Sequence, residues 1–587
     1  MTNPPKLGTL NDIFFNSVAR GLARVMTCKR DGKWVDISSR ELYSRVMAVA
    51  SALHSWKIGR GERVAILSEN RPEWQIADFA CLMLGIVDVP IYSTLTAEQI
   101  SYMLKNSGAR LVFLSTAKQL EKVRKVAGET QIERIVMMDE QADGHVISFG
   151  ALPMATPEAI AEIEQQAHNI VPSDLATIIY TSGTTGSPKG VMLTHGNIAS
   201  NLHHTLTLFS PTSSDISISF LPLSHITARH VDYGYLQDGV TLAYCPFMDD
   251  LSQTIREIRP TFMVAVPRVY EKIYNGTLHA LQGPRQQRMY RWALGIGSAH
   301  VAETLADEPP HGWRWLLADK LLFSHIRAAF GGRARAFISG GAPLGWDLAA
   351  WYAKVGICIY EGYGLTETSP VIALNIPGAH KLGTVGKPLP EVEVKLAADG
   401  ELLVRGPNVF QGYWKLPEET ANAFVDGWFR TGDIASIDSD GYITITDRKK
   451  DLIKTSGGKF IAPQPLETAL KTNALIAQVV ILGDRRKFPA VLIAPSFPVL
   501  EDWARQHSIG FSSRAELIRN SQIQALYEGI IEELNRRLAQ FEKLKKILLV
   551  EDEFAVESGE LTPSLKVKRR VINEKYRRQI EALYSEA

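Results

Sequence analysis

The sequence predicts an α/β protein, with a large N-terminal domain of doubly wound, mostly parallel sheets plus an antiparallel β subdomain, then a small mobile α+β C-terminal domain. Three observations predict it. Strand-like and helix-like periods alternate through the first half, the βαβ rhythm of parallel sheets covered on both faces. After about residue 384 the pattern changes to period-two hairpins. The chain has 587 residues, more than one hydrophobic core usually holds, so at least two domains are expected.

In order, RVAILS (63–68) reads as a buried strand and RPEWQIADFACLMLG (71–85) as a helix, with Pro72 suited to its first turn. VDVPIY (87–92), TAEQISYMLKNSG (96–108) and ARLVFLS (109–115) follow as strand, helix and strand. The rhythm resumes with IREIRP (255–260), TFMVAVP (261–267) and RVYEKIYNGTLHAL (268–281) as helix end, strand and helix. RARAFISGGAPL (333–344) and ICIYEGYGLTE (357–367) each read as a strand running into glycines. EVEVKLAADGELLVRG (391–406) turns at Asp399-Gly400, and SIDSDGYITITD (436–447) turns at Asp440-Gly441. Beyond the charged stretch DRKKDLIKTSGGK (447–459) lie strands QVVILG (478–483) and AVLIAPS (490–496), then helices rich in Glu, Arg and Leu. The expected division is 1–447 and 448–587, with 384–447 as the β subdomain; residues 280–320 read as an Arg- and Trp-containing elaboration without a clear shape.

Composition narrows the function classes. Lys+Arg number 64 and Asp+Glu 63, a balance that argues against a general nucleic-acid binder. Cys28, Cys81, Cys245 and Cys358 are far apart, with no CxxC pair, which argues against a disulfide framework or a zinc site and for reduced thiols in the cytoplasm. The longest apolar run, Phe79 to Val87, is nine residues, and the N-terminus has no apolar signal core. No membrane crossing is expected, while attachment at the inner membrane face stays open.

The sharpest motif is YTSGTTGSPKG, Tyr180 to Gly190. Three glycines, five hydroxyls and Lys189 within ten residues suit a loop that wraps phosphates with backbone amides, hydroxyls and one cation. It lacks the GxxxxGK[ST] spacing and sits between strand-like LATIIY and GVML, so it joins two strands rather than opening a helix. In YEGYGLTET (360–368), Tyr363 can lie against a purine, while Thr366 and Glu367 can face phosphates and a hard cation. In GWFRTGD (427–433), Asp433 can accept both hydroxyls of a ribose, with Arg448 beside it. Taken singly, each charge reads as a solvated surface group; the combination decides.

These motifs, with LPLSH (221–225), DRKKDLIK (447–454) and LTPSLKVKR (561–569), occur in order along nearly the whole chain and resemble the adenylate-forming superfamily of acyl-CoA synthetases, luciferases and peptide-synthetase adenylation domains. VPRVYEKI (266–273) and SGGAPL (339–344) are most similar to long-chain fatty acyl-CoA synthetases. The resemblance implies an AMP-forming acid–thiol ligase using ATP, Mg²⁺ and CoA. It implies that Thr181, Ser182, Gly183, Thr184, Thr185, Gly186 and Lys189 hold the β- and γ-phosphates, and that Gly341, Ala342 and Pro343 border the adenine. Tyr363, with Glu361, Gly362 and Gly364 around it, would complete the nucleotide site; Thr366 would touch the α-phosphate; Glu367 and Thr184 would serve Mg²⁺. Asp433 and Arg448 would bind ribose, His225 would lie near the carboxylate, and Lys566 would be the adenylation lysine. Lys450 would be the hinge, and Ser456, Gly457 and Gly458 would approach from the CoA side after the small domain rotates.

Two departures stand out. Ser564-Leu565 precedes Lys566 where Ser-Gly is common; Lys566 is preferred over Lys568 because Lys566-Val567-Lys568-Arg569 fits Lys-Ile-x-Arg. Ala228 precedes Arg229 where many long-chain members carry a glutamate, which weakens any claim about an Arg229 ion pair and about the tunnel entrance. The competing readings are transfer to an acyl carrier protein, an aryl or short-chain acid, and a non-catalytic fatty-acid-trapping protein. A homodimer remains open, and the basic tail from Lys566 to Arg578 is either a solvated helix or a contact for CoA phosphates or an anionic membrane.

Overall fold

The structure is a computed structural model that describes residues 7–139, 146–181, 188–206, 208–281, 283–456, 459–556, 558–562 and 566–585. Two large sheets dominate. In one of nine strands, Ile359–Gly364, Ala336–Ser339, Phe262–Ala265, Ile216–Ser219, Thr241–Tyr244 and Met26–Arg30 lie side by side and parallel, and antiparallel strands close both ends. In the other, of eight, Leu175–Thr181, Val87–Ile91, Arg63–Leu67, Leu111–Leu114, Arg134–Met137 and Ile147–Ser148 are parallel, with antiparallel Lys189–Thr194 and Gly412–Tyr413 added at one edge.

The helix Pro72–Met83 has every residue buried. That follows from its place: one cluster of buried side chains draws on both large sheets, and Phe79 packs on Tyr233 of helix Ile226–Asp238. The hairpins expected after residue 384 form a five-stranded antiparallel sheet, in which Asp433 lies opposite Arg448.

From residue 453 onward the chain builds its own hydrophobic clusters around the strands Ile476–Leu482, Ala490–Pro495 and Ile547–Leu549. Among the described residues no such cluster spans 445 and 453 together. The four cysteines are free thiols, and no described helix is long and apolar enough to cross a membrane.

Candidate active site

The strands Leu175–Thr181 and Lys189–Thr194 form an antiparallel pair with Thr181 opposite Lys189, so the Gly/Ser/Thr loop does join two strands. Ser182, Gly183, Thr184, Thr185 and Gly186 lie outside the described residues. Gly190 is fixed by crowding: a Cβ there would sit 2.7 Å from Ile178 and 3.2 Å from Trp414, whose amide donates to the Gly190 carbonyl at 2.7 Å.

That neighbouring segment supplies a residue the sequence did not single out. The Tyr413 hydroxyl donates to Glu367 Oε1 at 2.9 Å, and the Lys189 ammonium lies 5.1 Å from the centre of its ring. Lys189, Tyr413 and Glu367 therefore form one line from the end of the loop to the predicted cation ligand. Glu367 sits in the short turn Thr366–Thr368, where Thr366 is buried. Its carbonyl accepts from the Phe410 amide at 2.9 Å.

Asp433 is almost wholly buried and is gripped from two sides. Arg448 Nε lies 3.0 Å from one carboxylate oxygen, and the Tyr363 hydroxyl donates to the other at 2.6 Å. Burial, and then the Asp433 charge, push the Tyr363 hydroxyl far above its ordinary pKa. Gly364 is there for space: a Cβ would fall 1.7 Å from the Pro370 carbonyl oxygen, and Gly362 is pressed by Leu374 in the same strand pairing. Gly341 takes a left-handed φ of 81°, turning the Gly341-Ala342-Pro343 loop away from its strand. Glu361 anchors that loop, accepting the Leu344 amide at 3.1 Å, and burial raises its carboxyl to about 7.

His225 caps the helix Ile226–Asp238; its Nδ1 accepts from the Thr227 amide at 3.2 Å, which leaves the neutral ring's proton on Nε2. Burial, and then the positive charge of Lys566, lower its pKa to about 4. Lys566 thus lies at this site although 341 residues separate it from His225 in sequence. The Thr562 amide donates to the Lys566 carbonyl at 2.8 Å, and Leu561 pairs with Val567. Surrounding protein, and then the charge of Arg448, lower the Lys566 ammonium to about 8, with Asp433 acting in the opposite direction. Its side chain remains open to solvent, which tempers the first cause.

Lys450 follows directly on the β sheet: the Arg448 carbonyl accepts the amides of Asp451 at 2.9 Å and Leu452 at 3.1 Å. Ser456 donates its amide to the Arg486 carbonyl at 2.8 Å; Gly457 and Gly458 lie outside the described residues.

Arg229 has its ion pair, but with partners other than the neighbouring residue. It is fully buried and pairs with Asp78 at 2.7 Å and Asp88 at 3.0 Å, while also reaching the Tyr233 hydroxyl at 2.7 Å and Thr177 at 2.9 Å. Ala228 supplies no neighbouring carboxylate, and two carboxylates from elsewhere in the chain take that part. The network ties the helix that His225 caps to the strand that ends at Thr181.

Among the described residues, no group of three or more His, Cys, Asp or Glu could hold a metal by itself. Glu367 fits Mg²⁺ bound chiefly through substrate phosphates, because one carboxylate oxygen is oriented by Tyr413.

Comparison with known proteins matches residues 15–414 to the AMP-binding enzyme family and residues 450–587 to the AMP-binding enzyme C-terminal domain. A long-chain-fatty-acid–CoA ligase of Mycobacterium bovis is 37% identical over 566 residues, covering 94% of this chain and 93% of its own. Long-chain-fatty-acid–CoA ligase 6 of Rattus norvegicus is 32% identical, covering 94% and 82%. The adenylation domain of a carboxylate reductase from Mycobacterium chelonae superposes with a TM-score of 0.76 at 23% identity, covering 99% of this chain and 92% of its own. ATP-bound MatB from Rhodopseudomonas palustris superposes with 0.68 at 23%, covering 96% and 99%.

Proposed function

The chain belongs to the AMP-binding enzyme family, and on that premise we propose that it joins a long-chain fatty acid to CoA through an acyl-adenylate, releasing pyrophosphate and then AMP. The observation that carries the reading is the convergence of Lys566, from the C-terminal part of the chain, on His225, Asp433 and Arg448.

In the first half-reaction the fatty carboxylate attacks the α-phosphorus of ATP, and the bond to pyrophosphate breaks. The carboxylate is already nucleophilic, so the protein's task is positioning and charge neutralisation. Asp433 takes the ribose hydroxyls with Arg448 beside it. Tyr363 and the Gly341–Pro343 loop border the adenine, and Thr181 and Lys189 flank the phosphate loop. Lys566 faces the negative charge that builds between carboxylate and α-phosphate, and Thr366 adds a donor. Mg²⁺, held at Glu367 and the Thr184 position, would neutralise phosphate charge when bound.

In the second half-reaction the small domain, 448–587, rotates about Lys450. Lys566 withdraws and the segment that begins at Ser456 approaches. The CoA thiol loses its proton and attacks the acyl carbonyl; a C–S bond forms, the acyl–phosphate C–O bond breaks, and AMP leaves.

The test is acid-dependent ATP–pyrophosphate exchange across a panel of acids, repeated with CoA. Exchange with long-chain acids and acyl-CoA formation are expected. No exchange with any acid would defeat the reading, and acylation of a phosphopantetheinyl carrier protein in place of CoA would support the carrier alternative. We place the enzyme in the cytoplasm, as a monomer or homodimer, with fatty acid, ATP and CoA as partners.

A further inference from the structure

The connection from strand Phe262–Ala265 to strand Ala336–Ser339 holds far more chain than one crossover helix needs. Within it, Trp313–Ala318, Asp319–Phe323 and Ser324–Ala328 follow one another without a break, the middle part wound more widely than an α-helix. One stripe of this rod does the expected packing: Trp315, Ala318, Leu322, Phe323 and Ile326 are buried, with Trp315 against Phe323.

The opposite stripe is apolar as well. Trp313 is 71% exposed, Leu316 64%, Leu317 41% and Leu321 44%. An amphipathic surface helix would carry polar groups there. The cations around it complete the pattern. Arg314 lies over the Trp313 ring at 5.3 Å, and exposed Lys320 stands beside Leu321. Asp319, the only acid between Trp313 and Ala328, is neutralised by Arg327. The helix Pro284–Ala299 touches this rod and exposes Arg285, Arg288, Arg291 and Trp292, and no acid occurs from 284 to 302. Across 284–328 six Lys and Arg stand against four Asp and Glu; Glu303, Asp307 and Glu308 fall in the link between the helix Pro284–Ala299 and the rod, so those two elements themselves carry the six cations and, of the acids, Asp319 alone.

We infer that this face docks on an anionic phospholipid surface, with Trp313, Leu316, Leu317 and Leu321 entering the headgroup–acyl boundary and the arginines meeting lipid phosphates. Exposed tryptophan and leucine beside arginine and lysine is the chemistry of an interfacial anchor. A second copy of the chain fits less well, since a twofold contact would bring the same cations face to face. The basic C-terminal tail is the weaker candidate: Lys575 is paired with Glu560 at 2.7 Å, and Arg569 with Glu467 at 2.7 Å. The purpose of such docking, delivery of a membrane-dissolved acid, rests on the fatty-acid reading; the docking itself does not.

The test is cosedimentation of the full chain with phosphatidylglycerol/phosphatidylcholine vesicles and with phosphatidylcholine vesicles alone. Wild type should bind the anionic vesicles in a salt-sensitive way. Trp313→Ser/Leu316→Gln/Leu321→Gln should lose this binding by about tenfold or more, and Arg285→Gln/Arg288→Gln/Arg291→Gln should lose its salt dependence. Both variants should keep wild-type ATP–pyrophosphate exchange with a soluble acid, which shows that they fold. Equal vesicle binding by wild type and the apolar variant would overturn the inference, as would no binding by wild type. Loss of binding only in Arg577→Gln/Arg578→Gln would move the contact to the tail, and a dimer broken by the apolar variant would assign the face to a second copy. Vesicle binding without acid-dependent exchange would keep the surface and remove the fatty-acid reading.

Discussion

An ammonium partly surrounded by protein and facing an arginine gives up its proton more easily than a free lysine, and Lys566 is in that position. In the proposed mechanism adenylation needs it charged. The adenylation rate should therefore fall as pH rises through about 8, and Lys566→Arg should move that alkaline limb upward. Lys566→Ala should cost adenylation about 10²–10³-fold and leave thioester formation from premade acyl-adenylate within a few-fold; equal loss of both half-reactions would refute the role. Asp232 gives a stability test. Burial raises its carboxyl to about 7, against the hydrogen bond from Ser219 at 2.7 Å. The folded state holds a proton there that the unfolded chain releases near pH 4, so its contribution is complete below about pH 4 and lost as pH rises towards about 7. Urea titrations should show a flatter pH dependence across that window in Asp232→Asn. Arg229 is a third. Arg229→Met leaves two buried carboxylates uncompensated and should cost about 3–5 kcal/mol, read in the same titrations. Its partners lie 141 and 151 positions away, so only the folded chain reveals them. Asp433 and Arg448, by contrast, were legible as a pair because their motifs specify chemistry even at a distance.

At the scale of elements, legibility followed periodicity. RVAILS and VDVPIY became neighbouring strands, and the Asp399-Gly400 turn joined two antiparallel ones. Residues 313–328 were not legible because that rod is apolar on two faces, and a one-sided pattern is what identifies a packed helix. Tyr413 was missed for another reason. It reaches Glu367 only because the short strand Gly412–Tyr413 adds to the edge beside Gly190, and two residues carry no period. Gly190 and Gly364 are spacing devices. Gly364→Ala must displace the strand carrying Val371, because its Cβ would meet the Pro370 oxygen at 1.7 Å. It should destabilise the fold by about 1–3 kcal/mol and weaken nucleotide binding, measured by thermal denaturation with and without AMP.

For the whole molecule, the decisive fact is that, among the described residues, two sets of hydrophobic clusters meet through few polar contacts. Arg268 reaches the Ala477 carbonyl at 3.5 Å, and Asp447 accepts the Gln464 amide at 3.1 Å. Between them lies a cavity of about 300 Å³, with Tyr274 and Asp347 on one side and Leu470, Asn473 and Leu534 on the other. An interface of that kind separates without unfolding either body. Lys450→Pro, which fixes φ at the hinge, should spare acid-dependent exchange and suppress acyl-CoA formation by about tenfold or more; normal CoA ligation by that variant would place the hinge elsewhere.

Arg448 is held at both ends. Its guanidinium grips Asp433, and its carbonyl receives the amides of Asp451 and Leu452, where the chain leaves the sheet. A sugar that takes the Asp433 oxygens for its own hydroxyls loosens the first grip while leaving the second intact. With Asp433 as the proposed ribose site and Lys450 as the proposed hinge, ligand occupancy would set the mechanical compliance of the joint rather than its resting angle: stiff when the carboxylate has only arginine and tyrosine to bind, and yielding when a nucleotide shares it.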